Sequence, residues 1–203
     1  MTRPTAPGLL VIFGPPAVGK MTIAQAIAAR SNYRVFHNHA LLEPLLDVFD
    51  YGTAPFHRLL GRFRRDVLEE AAEAGVSLIL TYAWALQSPP DRDEVAEYLA
   101  PYLSRGLPVR FVELAADLDT RLARNRTEHR LSEKKSKPNL DWSDNNVREL
   151  DVHTLNTAEG VATPADELLN AFPHLRLETA ELSVDQIADR VLDWLAVTQT
   201  SET

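Results

Sequence analysis

Residues 14–22 read Gly-Pro-Pro-Ala-Val-Gly-Lys-Met-Thr, directly after five apolar residues, Leu9 to Phe13, and directly before a helix-favouring stretch, residues 23–29. A strand that enters a glycine loop, a Gly-Lys pair and then a helix constrains the fold more than any other feature of the chain. The C-terminal end of the strand and the N-terminal end of the helix must meet across one tight turn. Such a turn gathers backbone N–H groups and the positive end of a helix around one point, and these can replace water around phosphate oxygens. Gly14 and Gly19 let the backbone approach without a Cβ in the way. Pro15 and Pro16 stiffen the loop and reduce the entropy lost on binding. Lys20 is a mobile point charge able to reach the β- and γ-phosphates of a triphosphate. Gly14, Pro15, Pro16, Ala17, Val18, Gly19, Lys20, Met21 and Thr22 are therefore the expected nucleotide-binding residues, and Lys20 is also expected to be catalytic.

One position departs from the usual pattern. The Ser or Thr that normally follows the lysine is Met21, and Thr22 comes next. A thioether does not ligate Mg²⁺. Thr22 is the expected metal residue, with contacts to metal, to phosphate or to neither all open at this spacing. Adenylate kinases resemble this loop in carrying Gly-Pro-Pro early and Gly-Lys-X-Thr late, which weakens a GTPase reading more than a kinase reading.

The 203 residues suit a single α/β domain over 1–203 with a small lid at about 126–145, and a hydrophobic fraction of 45% is enough for a core. No window approaches a membrane span and the N-terminus lacks an apolar signal core, so the expectation is a cytoplasmic protein without a membrane partner. The chain has no cysteine, which excludes disulfides and thiolate metal sites. A net charge of −8 argues against broad nucleic-acid binding. The charge is uneven: between Arg121 and Lys137 seven basic residues stand against two acidic ones. One concentrated basic segment in an acidic protein suits a small anionic ligand.

Apolar runs at 9–13, 33–36, 76–81, 109–114 and 175–178 read as strands. Residues 20–30, 41–49, 56–74, 91–105, 117–130 and 183 onward read as helices, with one or two more between 146 and 172. Residues 131–145 are polar and basic and read as a mobile lid. Alternating strands and helices imply a parallel sheet covered on both faces, with ligands beyond the carboxyl ends of the strands. The residues to watch therefore lie at 14–22, 37–39, 81–87 and from Glu113 onward.

With the loop 14–22, the arginine-rich helix Arg121-Leu122-Ala123-Arg124-Asn125-Arg126 and the basic lid in place, the chain resembles the P-loop small-molecule kinases of the nucleoside-monophosphate-kinase and shikimate-kinase-like group, and bacterial proteins labelled as AAA-family ATPases. The resemblance covers nearly the whole chain in element order. It implies a three-layer P-loop NTPase fold, a five-stranded parallel sheet in order 2-3-1-4-5, the cofactors ATP and Mg²⁺, and phosphoryl transfer to a small acceptor.

The remaining candidates follow from where this fold places ligands. Arg121 and Arg124 share a helix face, and one of them is expected to stack on adenine, as in the related kinases. Arg130, with Lys134, Lys135 and Lys137, is expected to close over the phosphates in a catalytic role. His37, Asn38 and His39 follow the second strand, where shikimate-type kinases place an acidic residue that this chain lacks. His37 is the candidate general base, and Asn38 and His39 are candidates for the acceptor; capping and packing roles stay open for both histidines. Arg64 is the candidate for an anionic group of the acceptor, with a salt bridge to Asp66 or Glu69 as the alternative. Tyr82, Trp84 and Gln87 are expected to line the acceptor pocket, although aromatic residues at a strand end are also common in cores. The third strand ends without the usual Walker-B acid, and Glu113 and Asp117 remain open as acidic partners.

The leading reading is an ATP-dependent kinase that phosphorylates a hydroxyl of a small metabolite or antibiotic-like molecule. A nucleoside-monophosphate kinase is a close alternative. A nucleotide-dependent switch or assembly ATPase acting on a protein partner is a second class, and a P-loop protein that binds nucleotide without turnover is a third. The oligomeric state is not legible.

Overall fold

The computed structural model describes residues 7–37, 42–126 and 140–200. Five strands, β1 (Leu9–Phe13), β2 (Arg34–His37), β3 (Leu78–Tyr82), β4 (Val109–Ala115) and β5 (His174–Glu178), form one parallel sheet in the order β2-β3-β1-β4-β5. The central strand β1 is buried along its whole length, as its unbroken apolar run requires. It pairs with β3 from Leu9↔Leu78 to Phe13↔Tyr82 and with β4 from Leu9↔Val109 to Phe13↔Glu113. Phe13, Tyr82 and Glu113 therefore stand at one level, at the edge of the sheet from which residues 14–22 depart.

Helices cover both faces. The helices described are α1 (Lys20–Ala28), α2 (Leu42–Leu46), α3 (Ala54–Glu73), α4 (Pro89–Leu103), α5 (Leu118–Asn125), α6 (Leu140–Leu150), α7 (Asp166–Ala171) and α8 (Val184–Thr200). Alternation along β1 divides the core. Leu9, Val11 and Phe13 point into a cluster with Leu68 of α3, Tyr98 and Leu99 of α4, and Leu169 of α7. Leu10 and Ile12 point the other way, onto Ile23 and Ile27 of α1 and Ile187 and Val191 of α8.

Caps account for several boundaries. The Ser88 hydroxyl accepts from Asp91 N at 3.3 Å at the start of α4, and Asp117 accepts from Thr120 N at 2.7 Å at the start of α5. A reciprocal box starts α8, where Gln186 N donates to Ser183 Oγ and Ser183 N donates to Gln186 Oε1. Gly75 and Gly106 follow α3 and α4 with φ of +66° each, a conformation that favours glycine.

Residues 140–145, read as part of a mobile basic segment, belong to α6. Asp144 of this helix accepts from Asn125 Nδ2 at 2.6 Å and Arg126 Nε at 2.9 Å, which fastens α6 to the end of α5. Residues 127–139, with the remaining basic residues of the expected lid, lie outside the described residues. Among the described residues no helix is long and apolar enough to cross a membrane.

Candidate functional site

The loop 14–22 leaves β1 through Gly14, whose φ is +140°. A Cβ built there would lie 2.2 Å from the Leu114 carbonyl oxygen, so only glycine lets the loop press against β4. Ala17, with φ of +67°, is a non-glycine residue in the left-handed region, and Gly19, with φ of +103°, is the N-cap of α1. The loop is wedged from outside, since Ala17 packs with Leu122 of α5 and Val147 of α6. Lys20 Nζ donates to the carbonyl oxygens of Gly14 at 2.6 Å and Pro15 at 2.8 Å. The ammonium thus folds back onto the loop's own carbonyls, within the bowl of the loop. Met21 and Thr22 follow in the first turn of α1, both partly buried.

The two arginines of α5 divide instead of acting as a pair. Arg124 Nη1 donates to Val18 O at 3.2 Å and Thr179 Oγ1 at 2.8 Å, joining the loop to the residue that follows β5. Arg121 turns the other way. It is buried, its Nε donates to Ala116 O at 3.2 Å, and its guanidinium pairs with Asp151. Of the pair from which one was expected to stack on a base, Arg121 is committed elsewhere: it clamps α5 to the segment after α6.

A cleft of about 300 Å³ lies beside the loop, lined by Pro16, Ala83, Ala85, Gln87, Asp91 and His153 among others. Gln87 Oε1 accepts from Thr154 N at 2.9 Å, and Leu86 N donates to Thr154 O at 2.8 Å, so the segment after β3 is clasped to the segment after α6. Gln87 thus lines the cleft from a fixed position. His153 and Asp91 were not recognised. Asp91 reads from sequence as an ordinary helix-start residue, and His153 is an isolated histidine with no spacing signal around it.

Trp84 requires a correction. It is fully buried, with its ring centroid 5.3 Å from that of Phe13 in an edge-on arrangement, and it belongs to the core under β1. Its neighbours Ala83 and Ala85 reach the cleft instead, because alternate residues of an extended segment point to opposite sides.

Arg64 and Tyr82 are brought together, but neither is among the described residues that line the cleft. Both are buried. The Arg64 guanidinium carbon lies 5.6 Å from the centroid of the Tyr82 ring. Its Nη1 lies 3.3 Å from Tyr98 Oη, to which it donates, and 3.9 Å from Glu94 Oε1. The hydroxyls of Tyr82 and Tyr98 both donate to Glu94. Burial raises both phenol pKa values, and the neighbouring Glu94 adds to the rise, so both remain neutral donors. Arg64 pairs with Glu94, while neighbouring Arg62 pairs with Asp66 at 3.7 Å and Arg65 with Glu97 at 3.1 Å.

Glu113, fully buried within β4, is the hub of a separate network. It accepts from Asn156 Nδ2 at 2.9 Å, Thr157 N at 2.8 Å, Thr157 Oγ1 at 2.7 Å and Arg176 Nε at 3.2 Å, and His174 Nε2 lies 3.1 Å away. Burial alone would raise its pKa, but the neighbouring His174 and the hydrogen bonds from Thr157 and Asn156 outweigh it and the value is lowered. Asn156 Nδ2 also donates to Leu114 O, the carbonyl against which Gly14 packs. The network supports the loop from beneath and leaves Glu113 a structural acid. Asp117 serves as the cap of α5.

His37 ends β2 opposite Thr81, and its buried Nδ1 has no hydrogen-bond partner among the described residues. Asn38, His39 and Arg130 lie outside the described residues. No group of three or more metal-ligating side chains occurs among the described residues.

No protein-family profile matches the chain, and no curated protein matches it. Solved structures do. A sugar kinase from Janibacter sp. is 19% identical with a TM-score of 0.60, over 95% of this chain and 96% of that one. A gluconokinase from Sinorhizobium meliloti 1021 is 16% identical with a TM-score of 0.55, over 96% and 95% of the two chains. A shikimate kinase from Acinetobacter baumannii, solved with shikimate, is 17% identical with a TM-score of 0.53, over 96% of each. At these identities the likeness is one of fold, and the fold is that of the P-loop small-molecule kinases.

Proposed function

We propose that the protein is an ATP-dependent phosphotransferase that moves the γ-phosphate to a hydroxyl of a small acceptor. The observation that carries this reading is the adjacency of two features: a glycine loop with Lys20 in its bowl, and a cleft of about 300 Å³ whose wall includes Pro16 of that loop. Phosphoryl transfer depends on alignment and charge neutralisation more than on covalent chemistry, so a phosphate cradle beside an acceptor-sized cleft meets its main requirement.

The residues present fit the nucleotide. Lys20 would exchange its bonds to Gly14 O and Pro15 O for phosphate oxygens. Arg124, anchored to Val18 O and Thr179, would stand beside the base. The fit to Mg²⁺ is narrower. Thr22 supplies a hydroxyl one helical position beyond the usual one, and the phosphates and water would supply most other ligands, as is common for this ion. The ion would neutralise phosphate charge when bound. His37 is the candidate to take the acceptor proton, because its unpartnered Nδ1 lies at the carboxyl end of β2.

Incubation with Mg·ATP and a panel of hydroxylated metabolites, nucleotides and antibiotics tests the reading by product mass. A gain of one phosphate on a small acceptor, with little hydrolysis in its absence, is expected. Transfer to nucleoside monophosphates alone would replace the acceptor class. Hydrolysis that needs only a protein partner would replace the reading.

A further inference from the structure

The Gln87 carboxamide determines which nitrogen of His153 carries a proton. A backbone N–H can only donate, so the Gln87 atom that meets Thr154 N, at 2.9 Å, must be the oxygen. The other end of the amide is then the NH₂ group, a donor without acceptor capacity, and it lies 3.0 Å from His153 Nδ1. Nδ1 must accept. The neutral ring therefore holds its proton on Nε2, on the edge away from Gln87. The amide cannot turn over without setting its NH₂ against the Thr154 N–H. The bond from Leu86 N to Thr154 O, 2.8 Å, keeps the two segments together while it does so.

His153 is exposed and lines the cleft together with Pro16 and Asp91. Asp91 accepts from Ser88 Oγ at 2.7 Å on one carboxylate oxygen and from Ala85 N at 3.2 Å on the other. Each oxygen keeps a further lone pair. The described wall of the cleft thus offers an oriented N–H donor and a carboxylate acceptor, and it contains no lysine or arginine. Arg64, outside that lining, already faces Glu94. An anionic group in this cleft would meet Asp91 without a compensating cation from the described lining, whereas a hydroxyl can both accept from His153 and donate to Asp91.

We propose that the cleft binds the polyol part of an uncharged acceptor, with His153 Nε2–H donating to one hydroxyl oxygen and Asp91 accepting from a hydroxyl. Gln87 is the positioning residue that fixes the donor. The ligand class rests on the phosphotransferase reading above; the proton position does not.

Two measurements test the two parts separately. Imidazole ¹⁵N shifts of the full chain, recorded at a pH where the ring is neutral, are expected to show His153 protonated at Nε2 and bare at Nδ1. Gln87→Glu, which still accepts from Thr154 N but cannot donate, should move the proton to Nδ1. A proton on Nδ1 in the wild type, or no change in Gln87→Glu, overturns the assignment. The second measurement is phosphate transfer from Mg·ATP to paired acceptors of one carbon skeleton, glucitol against gluconate and ribitol against ribonate. The neutral member should be preferred. For that acceptor His153→Ala and Gln87→Glu should each raise KM about tenfold, the cost of one hydrogen bond, with the KM for ATP unchanged. His153→Gln, which keeps a donor, should recover part of the loss. Preference for the aldonate overturns the neutral class and leaves the kinase reading standing. Transfer to no acceptor of either series or of the wider panel removes the kinase reading and the ligand class with it.

Discussion

Single residues in this chain carry specific physical loads, and two of them can be tested directly. Gly14 is fixed by a carbonyl 2.2 Å from where a Cβ would sit and by a φ of +140°. Gly14→Ala must therefore displace the loop from β4. Its expected result is loss of measurable ATP binding by calorimetry, with thermal stability also reduced; wild-type affinity would show that the loop geometry is not required. Glu113 sits in a dense set of donors and its pKa is lowered. A carboxylate with a depressed folded-state pKa stabilises the fold above its unfolded value of about 4.3, and that contribution is lost as pH falls through the folded value. Glu113→Gln should flatten the acid limb of a stability-against-pH curve below about pH 4. Glu113→Ala, which strands His174, Asn156 and Thr157, should cost about 3 kcal/mol in denaturant unfolding at neutral pH.

At the scale of elements, the positions of strands and helices were legible because their signals are local. The run 9–13 is apolar without a break, as a strand covered on both faces must be, and residues 56–74 carry helical periodicity that the structure realises as α3. The corrections arose where the deciding partner is remote in sequence. Arg121 and Arg124 are three residues apart on one helix, but Asp151 captures the first and Thr179 the second. Neither partner could be inferred from the helix alone. Trp84 and its two alanine neighbours alternate between core and cleft, and the sequence gives no reason to prefer one parity until β1 supplies Phe13. His153 could not be recognised at all, because its role depends on Gln87, 66 positions away. The division of the α5 arginines predicts different phenotypes. Arg124→Ala, which frees Val18 O, should raise the KM for ATP with little effect on the acceptor KM. Arg121→Ala should instead lower the denaturation midpoint, with the nucleotide KM near wild type in the folded fraction.

At the scale of the whole molecule, the parallel sheet brings the ends of β1, β2 and β3 to one edge. The loop, His37 and the cleft wall are therefore assembled from segments spread over residues 14 to 155. The fold is shared with kinases of several acceptors, so it does not by itself say what would receive a phosphate. The central claim is that this edge transfers phosphate and does not merely hydrolyse ATP. The most direct measurement is the fate of a labelled γ-phosphate, followed in wild type and Lys20→Ala with Mg²⁺ and the preferred acceptor. Label is expected on the acceptor, with little inorganic phosphate when the acceptor is withheld and neither product from Lys20→Ala. Label released only as inorganic phosphate, at a rate indifferent to every acceptor, would contradict it.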